Sequence, residues 1–416
     1  MVIEMTALWK GRSNNMLDLN NSKTKKEALD ILFEKCPLKY EIETIPITEA
    51  IYRIPAEDMY SCNTLPVFRV SMMDGIAVAS SCFKSGIPDT SNWIEGREYA
   101  RADTGDDFDD CYDAVIKIEN VSFDEIGKLK IKEGTVVKEG TCVKKSGSTI
   151  KKGDCVLKAG MPVRPSDLAA LAIGGITNIS VLKKPVVAFI PTGSELIFPG
   201  TRPQRGQNID SNSIMVKHML IEMGAEPLVY PIVKDNPEDV KIALEKALKQ
   251  ADIIIVNGGS SKGGEDFTNK VFKSRGEVLL HGVFAGPGRP MSLAVIEGKP
   301  VVNLPGPALA AYYGVDWCIR SIVNQYLGLP MMKRKRVTAV LAEDMPCPKP
   351  ISFLCKINIE KNQDGKYIAV PAPFKAFPIN ICLGTNGQFI SKIGEGDYKK
   401  GDTIEVELLC SEEFII

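Results

Sequence analysis

Asp252-Ile-Ile-Ile-Val256 runs directly into Asn257-Gly-Gly-Ser-Ser-Lys-Gly-Gly-Glu-Asp266, and the fold is read from this stretch. An unbroken β-branched run is the mark of a strand covered on both faces, as in a parallel sheet flanked by helices. The glycines behind it let backbone amides turn inward together, a nest suited to phosphate or pyrophosphate at the start of a helix. Upstream, Pro185-Val-Val-Ala-Phe-Ile190 is a second such strand and Leu228-Val-Tyr230 a third. Val216, Met219, Leu220 and Met223 keep helical spacing before Gly224. Val240, Ala243, Leu244, Ala247 and Leu248 do the same behind Asn236 as cap and Pro237 in the first turn. A closing helix is expected from Ala308 to Leu327. Strands alternating with helices imply right-handed crossovers, so residues 185–330 are expected to form a doubly wound, mostly parallel α/β domain.

The flanks have a different texture. Between 61 and 144, short alternating runs such as Asp113-Ala-Val-Ile-Lys-Ile118 are broken by glycine, which predicts a β-rich domain. Segments 23–60 and 145–184 read as one linker domain carrying helices. The first has a capping box at Thr24-Lys-Lys-Glu27, the second a helix from Pro165-Ser-Asp167 to the stop at Gly174-Gly175. Residues 331–416 form a C-terminal β domain, and 1–22 a flexible extension. Lys-Lys-Gly-Asp occurs at 151–154 and again at 399–402, each read as a tight turn rather than a repeat. The chain is thus a multi-domain α/β protein with β-rich flanks.

Composition narrows the chemistry. Lysine plus arginine is 51 against 52 for aspartate plus glutamate, a balance that excludes bulk electrostatic binding to nucleic acid or membrane. No apolar run is long enough to span a bilayer, and the N-terminus lacks the basic start and apolar core of a signal peptide, so a cytoplasmic protein is expected. The 11 cysteines contain no C-x-x-C pair and are read as reduced thiols. With only His218 and His281, any catalytic metal must be held by carboxylates, which favours magnesium over zinc.

Open parallel sheets bind ligands beyond the carboxyl ends of their strands. Four loops there are unusual: Pro191-Thr-Gly-Ser-Glu195, Gly206 through Asn212, Asn257 through Asp266, and Gly286-Pro-Gly-Arg-Pro290 with Leu304-Pro-Gly-Pro307. None has the Gly-Lys-Ser/Thr ending of a P-loop or the Rossmann glycine spacing.

Together with Ser71-Met-Met-Asp-Gly-Ile-Ala77, these motifs fall in the order and spacing of the molybdopterin molybdenumtransferases, the MoeA proteins and the E domain of gephyrin. The chain resembles that family over residues 24–410. The resemblance implies an elongated four-part subunit, a homodimer, and insertion of molybdate into adenylylated molybdopterin with release of AMP. It implies Mg2+ held by Asp266 and Glu195, with Asp74 facing the pocket of a second subunit as a further catalytic carboxylate. Substrate would be bound by Thr104, by Thr192 and Gly193, by Asp210, Ser211 and Asn212, and by Gly258, Gly259, Ser261 and Gly263. It would also meet Pro287, Gly288, Arg289 and Pro290, with Pro305 and Gly306. Asp210 has an equally ordinary reading as the cap of the helix beginning near Asn212. Partners would be the small-molecule substrates, the molybdopterin adenylyltransferase and the molybdoenzymes.

The family's fourth loop usually reads Lys-Pro-Gly-Lys-Pro, where this chain has Gly286 and Arg289 in the lysine positions. An acidic family position is Thr149, and Lys262 replaces an apolar residue. Restoring a lysine at Gly286 is expected to strengthen molybdate binding. Two other readings stand beside the transferase. One is a molybdopterin-binding paralogue acting in cofactor storage, delivery or assembly; the other is an adenylyltransferase, whose class lacks the β-rich arms.

Overall fold

The computed structural model describes residues 22–258, 267–331, 333–372 and 385–415. The first helix, α1 (Lys25–Lys35), opens on the expected capping box. The Thr24 hydroxyl accepts from the Glu27 N–H and the Glu27 carboxylate accepts from the Thr24 N–H at 2.8 Å. The chain then divides into two compact units, one of Ile42–Leu182 and one of Met1–Glu41 with Lys183–Ile416.

In the first of these, β1 (Ile42–Pro46) pairs with a strand from the far end of the same unit. The centre of its β-rich part is β2 (Gly75–Val78), flanked antiparallel by β3 (Tyr99–Ala102) and β4 (Ala114–Lys117). Gly75 is required there, because a Cβ would lie 1.9 Å from the Ile116 carbonyl oxygen. Ile76, Val78, Tyr99, Ile116 and Leu129 form the core of this part. A second core gathers under α2 (Pro165–Ile173) and β5 (Asn178–Leu182), the strand that pairs with β1 from Ile42↔Leu182 to Pro46↔Asn178.

The other unit carries a six-stranded sheet. In chain order its elements are β6 (Val186–Pro191), α3 (Asn212–Glu222), β7 (Glu226–Val229), α4 (Pro237–Gln250), β8 (Ile253–Asn257), α5 (Phe267–Arg275) and β9 (Glu277–His281). After a two-residue strand, β10 (Ala285–Gly286), come β11 (Ser292–Ile296) and β12 (Lys299–Leu304). The sheet order is β7-β6-β8-β12-β11-β9. The first four strands are parallel and the last two antiparallel, so the doubly wound reading holds with an antiparallel edge. Val240, Leu244, Val271 and Phe272 cover one face of the sheet over Ile254, Val256, Ala294 and Val301.

The closing helix spans its expected length, from Ala308 to Tyr326, with one irregular turn inside it. α6 (Ala308–Gly314) and α7 (Arg320–Tyr326) are separated by a π-helical turn at Val315–Ile319. The turn carries buried Asp316. Burial raises the Asp316 carboxyl, but Arg334 and Arg320 beside it outweigh that and hold it below the usual carboxylate range. The buried carboxylate is satisfied by these two guanidinium partners, Arg320 Nε lying at 3.3 Å.

The last part is a β structure of β13 (Arg336–Leu341), β14 (Ser352–Lys361), β15 (Tyr367–Pro371), β16 (Gly387–Ile390) and β17 (Thr403–Leu408). A β14–β16 pairing closes these strands on themselves, and β10 joins by parallel pairing with β14. The two Lys-Lys-Gly-Asp segments are the same turn. In each the first lysine N–H donates to the aspartate carboxylate, at 2.8 and 2.7 Å, and the glycine has φ near +90°. None of the described cysteines is in a disulfide. No described helix is long and apolar enough to cross a membrane.

Candidate functional site

Three parallel strands, β6, β8 and β12, end side by side at Pro191, Asn257 and Leu304. The loops leaving them are tied together by one side chain that the sequence reading left unassigned. The Asn257 amide nitrogen donates to the carbonyl oxygens of Pro305, at 2.8 Å, and of Leu304, at 3.2 Å. Its amide oxygen accepts from Asn212 Nδ2 at 2.8 Å, and the same nitrogen donates to the Gly306 carbonyl at 2.8 Å. The Asn257 backbone carbonyl accepts from the Thr192 N–H at 2.9 Å. Thr192, Asn212, Asn257, Pro305 and Gly306 are thus one hydrogen-bonded set drawn from four segments, with Asn212 and Asn257 buried. The signal available in the sequence was an amide side chain ending an otherwise apolar strand.

Gly258 continues this set. Its N–H donates to the Leu304 carbonyl at 3.0 Å, its φ is +128°, and a Cβ would meet the Thr192 carbonyl oxygen at 2.4 Å. Only glycine fits. Gly259, Ser261, Lys262, Gly263 and Asp266 lie outside the described residues.

The first loop carries one carboxylate and receives a second from the segment before α4. Gly193 donates its N–H to the Val233 carbonyl at 3.0 Å, and the Glu195 carboxylate lies over it, about 3 Å from where a Cβ would be. Asp235, which the sequence reading passed over, is the neighbour of Glu195. Its N–H donates to the Ser194 hydroxyl. The Asp235 side chain reaches solvent, yet desolvation raises its carboxyl above the usual range and the Glu195 charge adds to that. Glu195 and Asp235, with the Thr192 and Ser194 hydroxyls, are hard oxygen donors of the kind that would suit magnesium. Among the described residues no group of three carboxylate, histidine or cysteine side chains gathers around one point.

Asp210 is buried, and its carboxylate accepts from the Ser213 N–H at 3.0 Å and from the Ser213 hydroxyl. It secures the first turn of α3, the capping alternative in the sequence. Ser211, at the start of the helix, makes no capping bond with its side chain.

The fourth loop carries a cation, Arg289, with no salt bridge among the described residues. Arg289 is half-buried, its Nε is sealed from solvent without a partner, and burial lowers its pKa from the ordinary value. Pro287 is buried and Pro290 half-buried. Gly288 has φ +114° and presses on the first turn of α6, where a Cβ would lie 3.3 Å from the Ala310 carbonyl oxygen. This sets the Arg289 loop against the helix that begins just after Gly306. Gly286 corrects an expectation: it is buried in β10, and a Cβ would meet Ile351 at 2.7 Å and Phe353 at 3.0 Å. A lysine there would strike the core of the β-closed part instead of reaching an anion.

In the other unit, Asp74 and Thr104 are partners. The Asp74 carboxylate accepts from the Thr104 N–H at 2.7 Å and its hydroxyl at 2.8 Å, which holds the carboxyl below its usual range. Both side chains are exposed.

Residues 23–175 match the family described as "MoeA N-terminal region (domain I and II)", and residues 188–325 the family described as "Probable molybdopterin binding domain". The molybdopterin molybdenumtransferase of Bacillus subtilis is 28% identical over 89% of this chain and 91% of that protein. A Methanocaldococcus jannaschii relative named for molybdopterin biosynthesis is 30% identical over 94% of this chain and 99% of its own length. Two solved structures of the molybdopterin biosynthesis MoeA protein of Pyrococcus horikoshii align with TM-scores of 0.75 and 0.69 at 26% and 24% identity. They cover 94% and 93% of this chain and 100% of theirs. With strand ends, loops and sequence in agreement along nearly its whole length, the chain belongs to the molybdopterin molybdenumtransferase family.

Proposed function

We propose that the protein works in molybdenum cofactor biosynthesis, inserting molybdate into adenylylated molybdopterin with release of AMP, as a cytoplasmic homodimer that requires magnesium. The observation that carries the reading is the amide set centred on Asn257, which fixes the mouths of three parallel strands beside Glu195 and Asp235. A diphosphate ester and an oxyanion repel one another, so such a site needs rigid donors and positive charge together. The loops that begin at Thr192 and Gly258 leave the strand ends, where a pyrophosphate group is received, and the Gly193 and Gly258 N–H groups hold those loops in place by donating to the Val233 and Leu304 carbonyls. Arg289, without a carboxylate partner among the described residues, is the group for molybdate, because its planar donors match an oxyanion. Glu195 and Asp266, with Asp235 beside Glu195, would hold magnesium, which supplies neutralisation of charge on the phosphate oxygens. Asp74, kept ionised by Thr104, serves as a carboxylate presented to the pocket of a second subunit.

The finer division into a 23–60 and 145–184 linker domain, a 61–144 β domain, the 185–330 α/β domain and a 331–416 β domain is part of the same proposal. So are transfers from the molybdopterin adenylyltransferase and onward to molybdoenzymes. The test is incubation with adenylylated molybdopterin, magnesium and molybdate while AMP is followed. Molybdate-dependent AMP release supports the transferase. Tight pterin binding without release would move the function to storage or delivery, and transfer of AMP from ATP to the pterin would make it an adenylyltransferase. Light scattering showing a monomer at micromolar concentration would overturn the dimer.

A further inference from the structure

The sheet edge has a second polar group, on the face away from Asn212. Asn303 on β12 is fully buried, and both its amide oxygen and its amide nitrogen lack a hydrogen-bond partner. Its antiparallel partner across the strands, Ser292 on β11, is fully buried with its hydroxyl likewise unpartnered. Directly opposed residues on adjacent strands hold their Cβ atoms about 5 Å apart, so these groups share one small space. On the other side of Asn303 stands Val256, a core residue of the face covered by α4 and α5.

Helix α5 brings a third such group. Gly276, just after its last turn, rests on Val295 and Ile296 at the foot of β11, where a Cβ would be 2.3 Å from the Val295 carbonyl oxygen. Going back from there, Thr268 lies eight residues up the helix, about 12 Å at its rise per residue. Ser292 lies three to four residues up β11, about 10 to 13 Å. The two are therefore level. Thr268 is fully buried, and its hydroxyl also has no partner.

Four orphaned polar atoms at one level of an otherwise apolar core cost free energy unless something bonds to them. Asn303, Ser292, Thr268 and Val256 carry no charge, which disfavours phosphate or molybdate. What they present is an amide with donor and acceptor side by side and two hydroxyls that can do either. Both amide atoms are unpartnered, so donor and acceptor stand side by side whichever way the Asn303 amide is turned. The matching chemistry is the edge of a flat heterocycle carrying an N–H next to a ring nitrogen or carbonyl.

We propose that Asn303, with Ser292 and Thr268, forms a subsite that takes such a heterocycle edge from the substrate. This rests on the reading that the substrate is adenylylated molybdopterin, whose pterin and adenine rings both carry that edge. The adjacent strand-end loops, tied by Asn257, would hold the phosphates while this subsite reads the ring.

The test uses the full chain and Asn303→Leu, titrated by calorimetry with molybdopterin and, separately, with AMP. A buried amide without partners is replaced by an apolar side chain of similar size, so the melting temperature is expected to stay level or rise. Affinity for the ring-bearing ligand should fall by about tenfold to a hundredfold. Loss confined to molybdopterin assigns the pterin to the subsite, and loss confined to AMP assigns the adenine. Unchanged affinity for both, with the wild-type protein binding them, overturns the subsite and leaves the function intact; the orphaned atoms are then served by internal water. If the wild-type protein binds neither ligand, the functional reading fails and the subsite with it. Ser292→Ala, which removes one oxygen from the same space, gives the same decision should Asn303→Leu fail to fold.

Discussion

The side-chain amide of Asn212, at the start of α3, donates to the amide oxygen of Asn257, at the end of β8, over 2.8 Å. Because the same two residues also hold the carbonyls of Leu304, Pro305 and Gly306, the mouth of the sheet is set by two buried amides and not by loop packing alone. Such a network fixes loop position to within the tolerance that transferring a group between two anions demands.

Asn257→Leu should therefore harm function beyond its cost in stability. Leaving one N–H of the Asn212 amide and the Pro305 carbonyl without the Asn257 side chain in a buried place costs about 2 to 4 kcal/mol, which urea unfolding measures. AMP release is expected to fall by at least about a hundredfold at temperatures where the variant remains folded. A variant that loses stability but keeps its rate would show that the network only supports the fold.

Arg289→Ala is expected to raise the molybdate concentration for half-maximal AMP release by about tenfold to a hundredfold, the worth of a charge-assisted hydrogen bond. Molybdopterin binding should change little if the phosphates lie at the strand-end loops after Pro191 and Asn257, as proposed. Arg289→Lys should recover part of the effect, since it restores the charge without the planar fork. A molybdate dependence indifferent to both substitutions would place the oxyanion elsewhere.

Gly286→Lys is expected to lower stability by about 1 to 3 kcal/mol through overpacking against Ile351 and Phe353, with no gain in molybdate response. A thermal melt decides it. An unshifted midpoint would mean that the β-closed part relaxes around the new side chain.

Thr104→Val removes the hydroxyl bond to Asp74 but keeps the backbone N–H that is the larger influence on it. The Asp74 carboxyl should then titrate closer to the ordinary aspartate value of about 3.9, seen by NMR. The sign follows from linkage: a folded-state pKa held down gives stability that is present above the unfolded pKa and is lost as pH falls through the folded one. Wild type should thus lose this contribution at lower pH than the variant. Equal titration in the two proteins would mean that the hydroxyl bond is absent in solution.

The sequence by itself determined the α/β sheet, its helices and the strand-end loops. The apolar runs Val186–Ile190 and Ile253–Val256, the caps at Thr24 and Asn236 and the stop at Gly224 are local signals, and local signals survive in a linear reading. The family resemblance was equally legible, since it lies in the order of short motifs. Tertiary structure decided the rest. Asn257 follows an apolar run as an ordinary polar ending, and only the adjacency of β8 and β12 turns it into the tie between loops. Asp235 gains its raised carboxyl from desolvation in the fold, with the charge of Glu195, forty residues away in sequence, adding to it. Gly286 looked like a missing lysine until β10 paired with β14 and surrounded it with Ile351 and Phe353. The π turn at Val315–Ile319 and the pairing of its Asp316 with Arg334, which arrives from beyond the helix, are likewise invisible to periodicity. In each case the deciding energy, a hydrogen bond, a desolvated charge or a steric contact, belongs to residues that meet only after the chain has folded.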